Sequence, residues 1–165
     1  SMVITVGELT GHKTDAEALV TQLSTRVAAI QQKIADVEQR PTVFYEIDGT
    51  DPSKPWTTGM GTFIDTLLEM AKAENVGRAM DSQYGQLSIE AILAADPVFI
   101  LLGDANFGVT PEQVAARAGW GELTAVKEGR VLPFNDDLVS RPGPRLVDGL
   151  EELVKILHEE AVPVP

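Results

Sequence analysis

Between Thr14 and Gln39 no proline or glycine interrupts the chain. Leu19, Leu23, Val27, Ile30, Ile34 and Val37 recur every three or four residues, which lays one apolar stripe along an α-helix. Thr14 and Glu17 have the spacing of a capping box at its start. Pro41 sets its end, because the residue before a proline is driven out of the helical region. Such a helix runs about 39 Å, longer than a small domain is wide. It therefore either overhangs its domain or lies along two bodies; a long edge helix packed on one domain is the plainer alternative.

Beyond Pro41 the pattern becomes short strands alternating with helices. Thr42–Ile47 is β-rich and closed by Asp48-Gly49, and residues 51–61, with Pro52, Pro55, Gly59 and Gly61, read as a loop. Thr62 to Ala73 predicts a helix with Phe63, Leu67, Leu68 and Met70 inward, and Ser88 caps a shorter one through Ala94. Pro97–Leu102 is apolar throughout, as a strand covered on both faces must be. Thr110-Pro111-Glu112-Gln113 is a capping box with proline at the first helical position, opening a helix to about Ala118. One turn at Thr124–Lys127, a strand at Val131–Phe134 and a last helix from beyond Pro144 to about Glu159 complete the order, with a frayed tail over 161–165. The expected fold is α/β: a three-layer lobe with a mostly parallel sheet flanked by helices, preceded by the long helix.

Charge narrows the partners. Thirteen Lys and Arg against 25 Asp and Glu leave the 165 residues at −12. Residues 1–40 carry 4 basic and 5 acidic groups and residues 41–165 carry 9 and 20, so the α/β part holds −11 of the excess. No basic footprint exists for nucleic acid or for an anionic membrane surface. With no cysteine, thiol catalysis, disulfides and thiolate metal sites drop out. The opening Ser1-Met2 reads as an artificial start, so the lack of a leader is uninformative.

Catalytic patterns are missing too. There is no nucleotide-binding glycine motif after a strand, no nucleophile elbow and no His-Glu-x-x-His. Gly59-Met60-Gly61 ahead of a helix suits an anion cradle or simply a flexible loop. His12 and His158 stand alone at opposite ends of the chain, so no metal site, cofactor or catalytic residue is expected. What stands out is Trp56 and Thr57 after the first strand, Asn106 and Phe107 after the central one, and Arg141 after the last. Carboxyl ends of strands form the ligand crevice in open α/β sheets. These residues predict a binding surface rather than an active site.

The order of motifs adds a resemblance. Pro41–Glu46, Trp56-Thr57-Thr58-Gly59 and Phe63-Ile64 open it; Tyr84–Glu90 and Ala95–Ile100 continue it; Gly119-Trp120, Ala125–Val131 and Arg141-Pro142-Gly143-Pro144-Arg145 complete it. The chain from about Thr14 resembles the C-terminal lobe of class III solute-binding proteins, which serve ABC importers of ferric siderophores, haem and cobalamin. The resemblance implies that residues 1–13 arrive from an N-terminal lobe, 14–40 are the helix joining the lobes, and 41–165 are the C-terminal lobe. It implies a non-enzymatic receptor outside the cytoplasmic membrane, periplasmic or a cell-surface lipoprotein, touching the membrane only through a lipid anchor or a permease. It puts Glu90 where the family docks on its permease and Arg141 where a cation meets an anionic chelate; Arg145 fits a structural contact.

Two other readings compete. The same lobe could serve an extracellular ligand sensor without transport. A receiver or flavodoxin-like domain would use Asp48, Asp51 and Asp104, but lacks the lysine it needs.

Overall fold

The computed structural model describes residues 2–158. The chain divides into two compact units, one ending at Asp36 and one starting at Val37.

The first unit is a helical hairpin. Helix α1 spans Met2–Thr10 and α2 spans Lys13–Lys33. Gly11, at φ +78°, turns the chain sharply, and His12 donates its N–H to Gly7 O at 2.7 Å. A Cβ on Gly7 would collide with the Ala16 side chain, so glycine is what lets the two helices touch.

Most of residues 1–13 are α1, a helix the sequence reading does not predict, and the extent of the long helix is corrected. The long helix is shorter, 21 residues, and starts before Thr14 with His12 as an N-cap whose side chain caps no backbone N–H. The Thr14–Glu17 capping box therefore does not form. The helix stops at Lys33, well before Pro41. Asp36 and Glu38 would put carboxylates against the negative end of the helix dipole, and the Val37 carbonyl instead accepts Lys72 Nζ at 3.0 Å.

The second unit holds a six-stranded sheet in the order β4-β2-β1-β5-β6, with β3 also on β1. The strands are β1 Thr42–Asp48, β2 Trp56–Thr58, β3 Glu74–Asn75, β4 Tyr84–Gln86, β5 Phe99–Leu102 and β6 Val131–Pro133. The β1–β3, β1–β5 and β5–β6 pairs are parallel; β2 runs antiparallel to both β1 and β4. The mostly parallel sheet is thus extended by two short antiparallel pairings, of which β2 lies in the 51–61 stretch read as a loop. Those pairings also separate it from the parallel receiver type.

Helices α3 Phe63–Met70, α4 Ile89–Ala95, α5 Pro111–Ala115, α6 Thr124–Lys127 and α7 Leu146–His158 flank the sheet. Pleat alternation sends Phe44, Ile100 and Leu102 into one core with Ile92 of α4, Val114 of α5, Ala125 of α6 and the fully buried Trp120. Val43, Tyr45, Phe99 and Leu101 face the other way, and all are buried. The caps read from sequence are present: Ser88 Oγ accepts the Ala91 N–H at 3.3 Å, and Thr110 and Gln113 form a reciprocal box. The helix opened by that box ends sooner than expected, at Ala115. Glu159 and the tail fall outside the described residues.

Candidate functional site

Because β1, β5 and β6 are parallel, their last residues, Asp48, Leu102 and Pro133, lie along one edge of the sheet. Trp56 pairs with Asp48 at the start of β2, and Gln86 pairs with Trp56 at the end of β4. Three segments leave this edge: residues 49–55, the 3-10 turn Gly103–Phe107, and residues 134–145 containing the 3-10 turn Asp136–Leu138.

Four of the five residues singled out for binding emerge here with solvent access. Trp56 is 44% exposed and Phe107 89%. Asn106 is exposed, with its Nδ2 3.5 Å from Asn135 Oδ1. Arg141 is exposed and pairs with Asp137 at 3.1 Å. Thr57 is different. Successive strand residues point to opposite faces, so its side chain is buried and its hydroxyl donates to Tyr45 O at 2.7 Å. It braces β2 on β1 and is closed to a ligand. Tyr84 was not singled out as a binding residue, yet it stands 54% exposed on β4.

Behind this edge lies a charge cluster that no motif announced. Glu46, fully buried on β1, receives two bonds from Arg117: Nη1 to Oε2 at 2.6 Å and Nη2 to Oε1 at 2.9 Å. The guanidinium also stacks 4.7 Å from the centre of the Trp120 ring. Asp104, equally deep, accepts the Gly49 N–H on Oδ2 at 2.9 Å. Its Oδ1 is buried without a bonded partner. Arg117 thus bonds Glu46 alone and acts on Asp104 only through its charge. Burial pushes both carboxyls above their ordinary range; the Arg117 bonds oppose this at Glu46 and the Gly49 N–H opposes it at Asp104. Gly49 is obligatory, since a Cβ there would strike Arg117 and Glu46.

In front of the cluster opens a cavity of about 440 Å³, lined by Asp48, Gly49, Thr50, Asp104, Phe107 and Arg117 among others. The 49–55 segment that rims it is tied down repeatedly. Thr50 N bonds Asp48, Ser53 N bonds Asp51, Trp120 Nε1 donates to Pro52 O at 3.1 Å, and Leu87 N and Ile89 N donate to Pro55 O and Ser53 O.

Other sequence candidates resolve simply. The Gly59 N–H is taken by Gln83 O and the Gly61 N–H by Asp65, so that loop holds no open anion cradle. His158 Nε2 lies 2.7 Å from Ala71 O, and His12 Nδ1 pairs with Asp15. Among the described residues no three metal-ligating side chains cluster, and no helix is long and apolar enough to cross a membrane. Glu90 is exposed in the first turn of α4, which starts at the same sheet edge.

The second unit is a mixed α/β lobe with exposed aromatic and basic residues at the carboxyl edge of its sheet. Residues 1–138 match the family described as periplasmic binding protein, and the chain belongs to that family. It is 34% identical over 157 residues to an uncharacterized ABC transporter substrate-binding lipoprotein of Bacillus subtilis, covering 94% of this chain and 48% of that protein. It is 30% identical over 165 residues to a cobalamin-binding protein of Halobacterium salinarum, covering 96% and 43%. A solved structure of a possible iron-binding periplasmic solute-binding protein from Staphylococcus epidermidis matches at TM-score 0.82 and 25% identity, over 95% of this chain and 60% of that one. These relatives are named for binding solutes, not for catalysis. The chain spans about half the length of the curated relatives it matches.

Proposed function

We propose that the chain is the C-terminal lobe of an extracytoplasmic receptor that captures a metal chelate, of the ferric siderophore, haem or cobalamin kind, and delivers it to an ABC permease. The observation that carries this reading is the match to solute-binding relatives over nearly the whole chain, half their length. In this reading residues 1–13 arrive from an N-terminal lobe, 14–40 lead across, and the rest forms one wall of the ligand cleft. Trp56, Phe107, Asn106 and Arg141 contact the ligand, and Tyr84 joins them. Glu90 docks on arginines of the permease. Attachment to the membrane is through a lipid anchor or the permease, and the receptor performs no chemistry.

The test is a tryptophan-fluorescence titration of the natural full-length product against ferric siderophores, haem and cobalamin. Trp56 is exposed at the site and Trp120 is buried, so comparison with a Trp56→Ala variant separates the contribution of Trp56. Saturable quenching by one class at micromolar concentration or tighter, lost in Trp56→Ala, is the expected result; silence across the panel refutes the capture role. For docking, Glu90→Ala should weaken permease affinity and transport with ligand binding intact, and unchanged transport refutes the assignment.

A further inference from the structure

Three of the cations at the proposed cleft wall are already paired. Arg141 is held by Asp137 at 3.1 Å, Lys54 by Asp51 at 3.9 Å, and Arg117, at the cavity, by both oxygens of Glu46. Across residues 48–56, 103–110 and 134–145 there are five carboxyl groups (Asp48, Asp51, Asp104, Asp136, Asp137) and three bases (Lys54, Arg141, Arg145), a formal balance of 3 − 5 = −2. Glu90 beside this edge adds one more negative charge.

The cavity presents two carboxylates, Asp48, whose Oδ1 accepts the Thr50 N–H at 2.8 Å, and Asp104, together with Thr50, Gln113, an Arg117 already bonded by Glu46, and the apolar Ile47, Val109 and exposed Phe107. An anionic arm entering here meets carboxylates in a partly desolvated recess, where repulsion is least screened. An arm carrying N–H donors meets acceptors and apolar walls.

Resting on the receptor reading above, we propose that this wall selects a neutral or cationic chelate with amide N–H donors on its periphery and turns away polyanionic chelates. Corrinoids and cationic ferric hydroxamates share that chemistry. Catecholate complexes and haem, with its two propionates, do not. Asp137 is the specificity-determining residue, since it alone keeps Arg141 from serving an anion.

Four probes decide it on the natural full-length product: cyanocobalamin, ferrioxamine B, haemin and a ferric triscatecholate. Affinities are measured by titration calorimetry at about 20 mM and about 150 mM salt. The expected result is that cyanocobalamin or ferrioxamine B binds at least about tenfold tighter than either anion; which of the two wins names the source. Weak anion binding should strengthen with salt, as screened repulsion does. Asp137→Asn should move the anion-to-neutral preference about tenfold toward the anion. If an anionic chelate binds tightest, or Asp137→Asn leaves the preference where it was, the charge inference is overturned while the receptor reading stands. If none of the four binds, the receptor reading falls and takes this inference with it.

Discussion

Replacing Arg117 by methionine removes the one cation from the cluster behind the sheet edge while keeping most of the side chain's length. Glu46 is fully buried and receives both of its strong bonds from that guanidinium. Breaking such a pair from one side leaves an uncompensated charge in a dry place and costs about 3–5 kcal/mol. For a protein of this size that corresponds to a fall in Tm of roughly 6–20 °C. The pH dependence has a definite sign. Without Arg117, burial alone acts on Glu46 and its folded-state pKa rises further. Below the unfolded value of about 4 both states hold the proton and the penalty is small. As pH climbs, the unfolded state ionises first, so the loss grows toward neutrality. Urea titrations at about pH 4.5 and 7.5, followed through buried Trp120, read this directly. A loss at neutral pH below about 1 kcal/mol, or one equal at both pH values, would refute the argument. The double variant Glu46→Met with Arg117→Met should return to within about 1 kcal/mol of the parent or exceed it, because a matched apolar pair carries no desolvation penalty.

Asp104→Asn keeps an acceptor for the Gly49 N–H and removes a carboxyl whose pKa burial has raised. A raised folded pKa means stability lost as pH rises from about 4 upward. The variant should therefore gain on the parent in thermal melts between pH 4 and 8, and a constant difference would contradict this. Gly149→Ala in α7 should destabilise by about 1–3 kcal/mol despite alanine's better helix propensity. The new Cβ would sit 2.7 Å from Leu138 O and 2.8 Å from Val139 Cγ1, and a rise in Tm would show that the two segments part easily. Ser88→Ala removes the cap on the Ala91 N–H and should cost about 1 kcal/mol in chemical denaturation.

Elements governed by local chemistry were legible in the sequence. The caps at Ser88 and Thr110 and the apolar strand at Phe99–Leu102 follow from side chains acting on their own backbone or from burial on both faces. Elements that depend on distant partners were not. Strands β2 and β4 are three residues each, lie among prolines, glycines and serines, and exist only because β1 offers a ladder. The end of α2 is set by Asp36, Glu38 and the Lys72 bond more than by Pro41. Helix α1 begins Met-Val-Ile-Thr-Val, a β-branched run with no helical signature. At the site, Phe107, Asn106 and Arg141 emerge at the edge where β5 and β6 end, and Trp56 joins them through the β2–β1 pairing. Glu46 and Arg117 are 71 residues apart and join only through the fold. Thr57 was misread because its neighbour's exposure says nothing about the opposite face of a strand that was itself unforeseen.

The repeated tethering of the 49–55 segment bears on how binding proceeds in time. A loop held by Asp104, Trp120 and the start of α4 has lost most of its conformational freedom before any ligand arrives. Capture then requires no local ordering on this side, so the encounter rate is set by diffusion and by movement of whatever closes against the wall. Differences among ligands appear as residence times. In the receptor proposed above, release would come from prying the wall away as a rigid plate, because melting the loop would also have to break its bonds to the buried cluster beneath it.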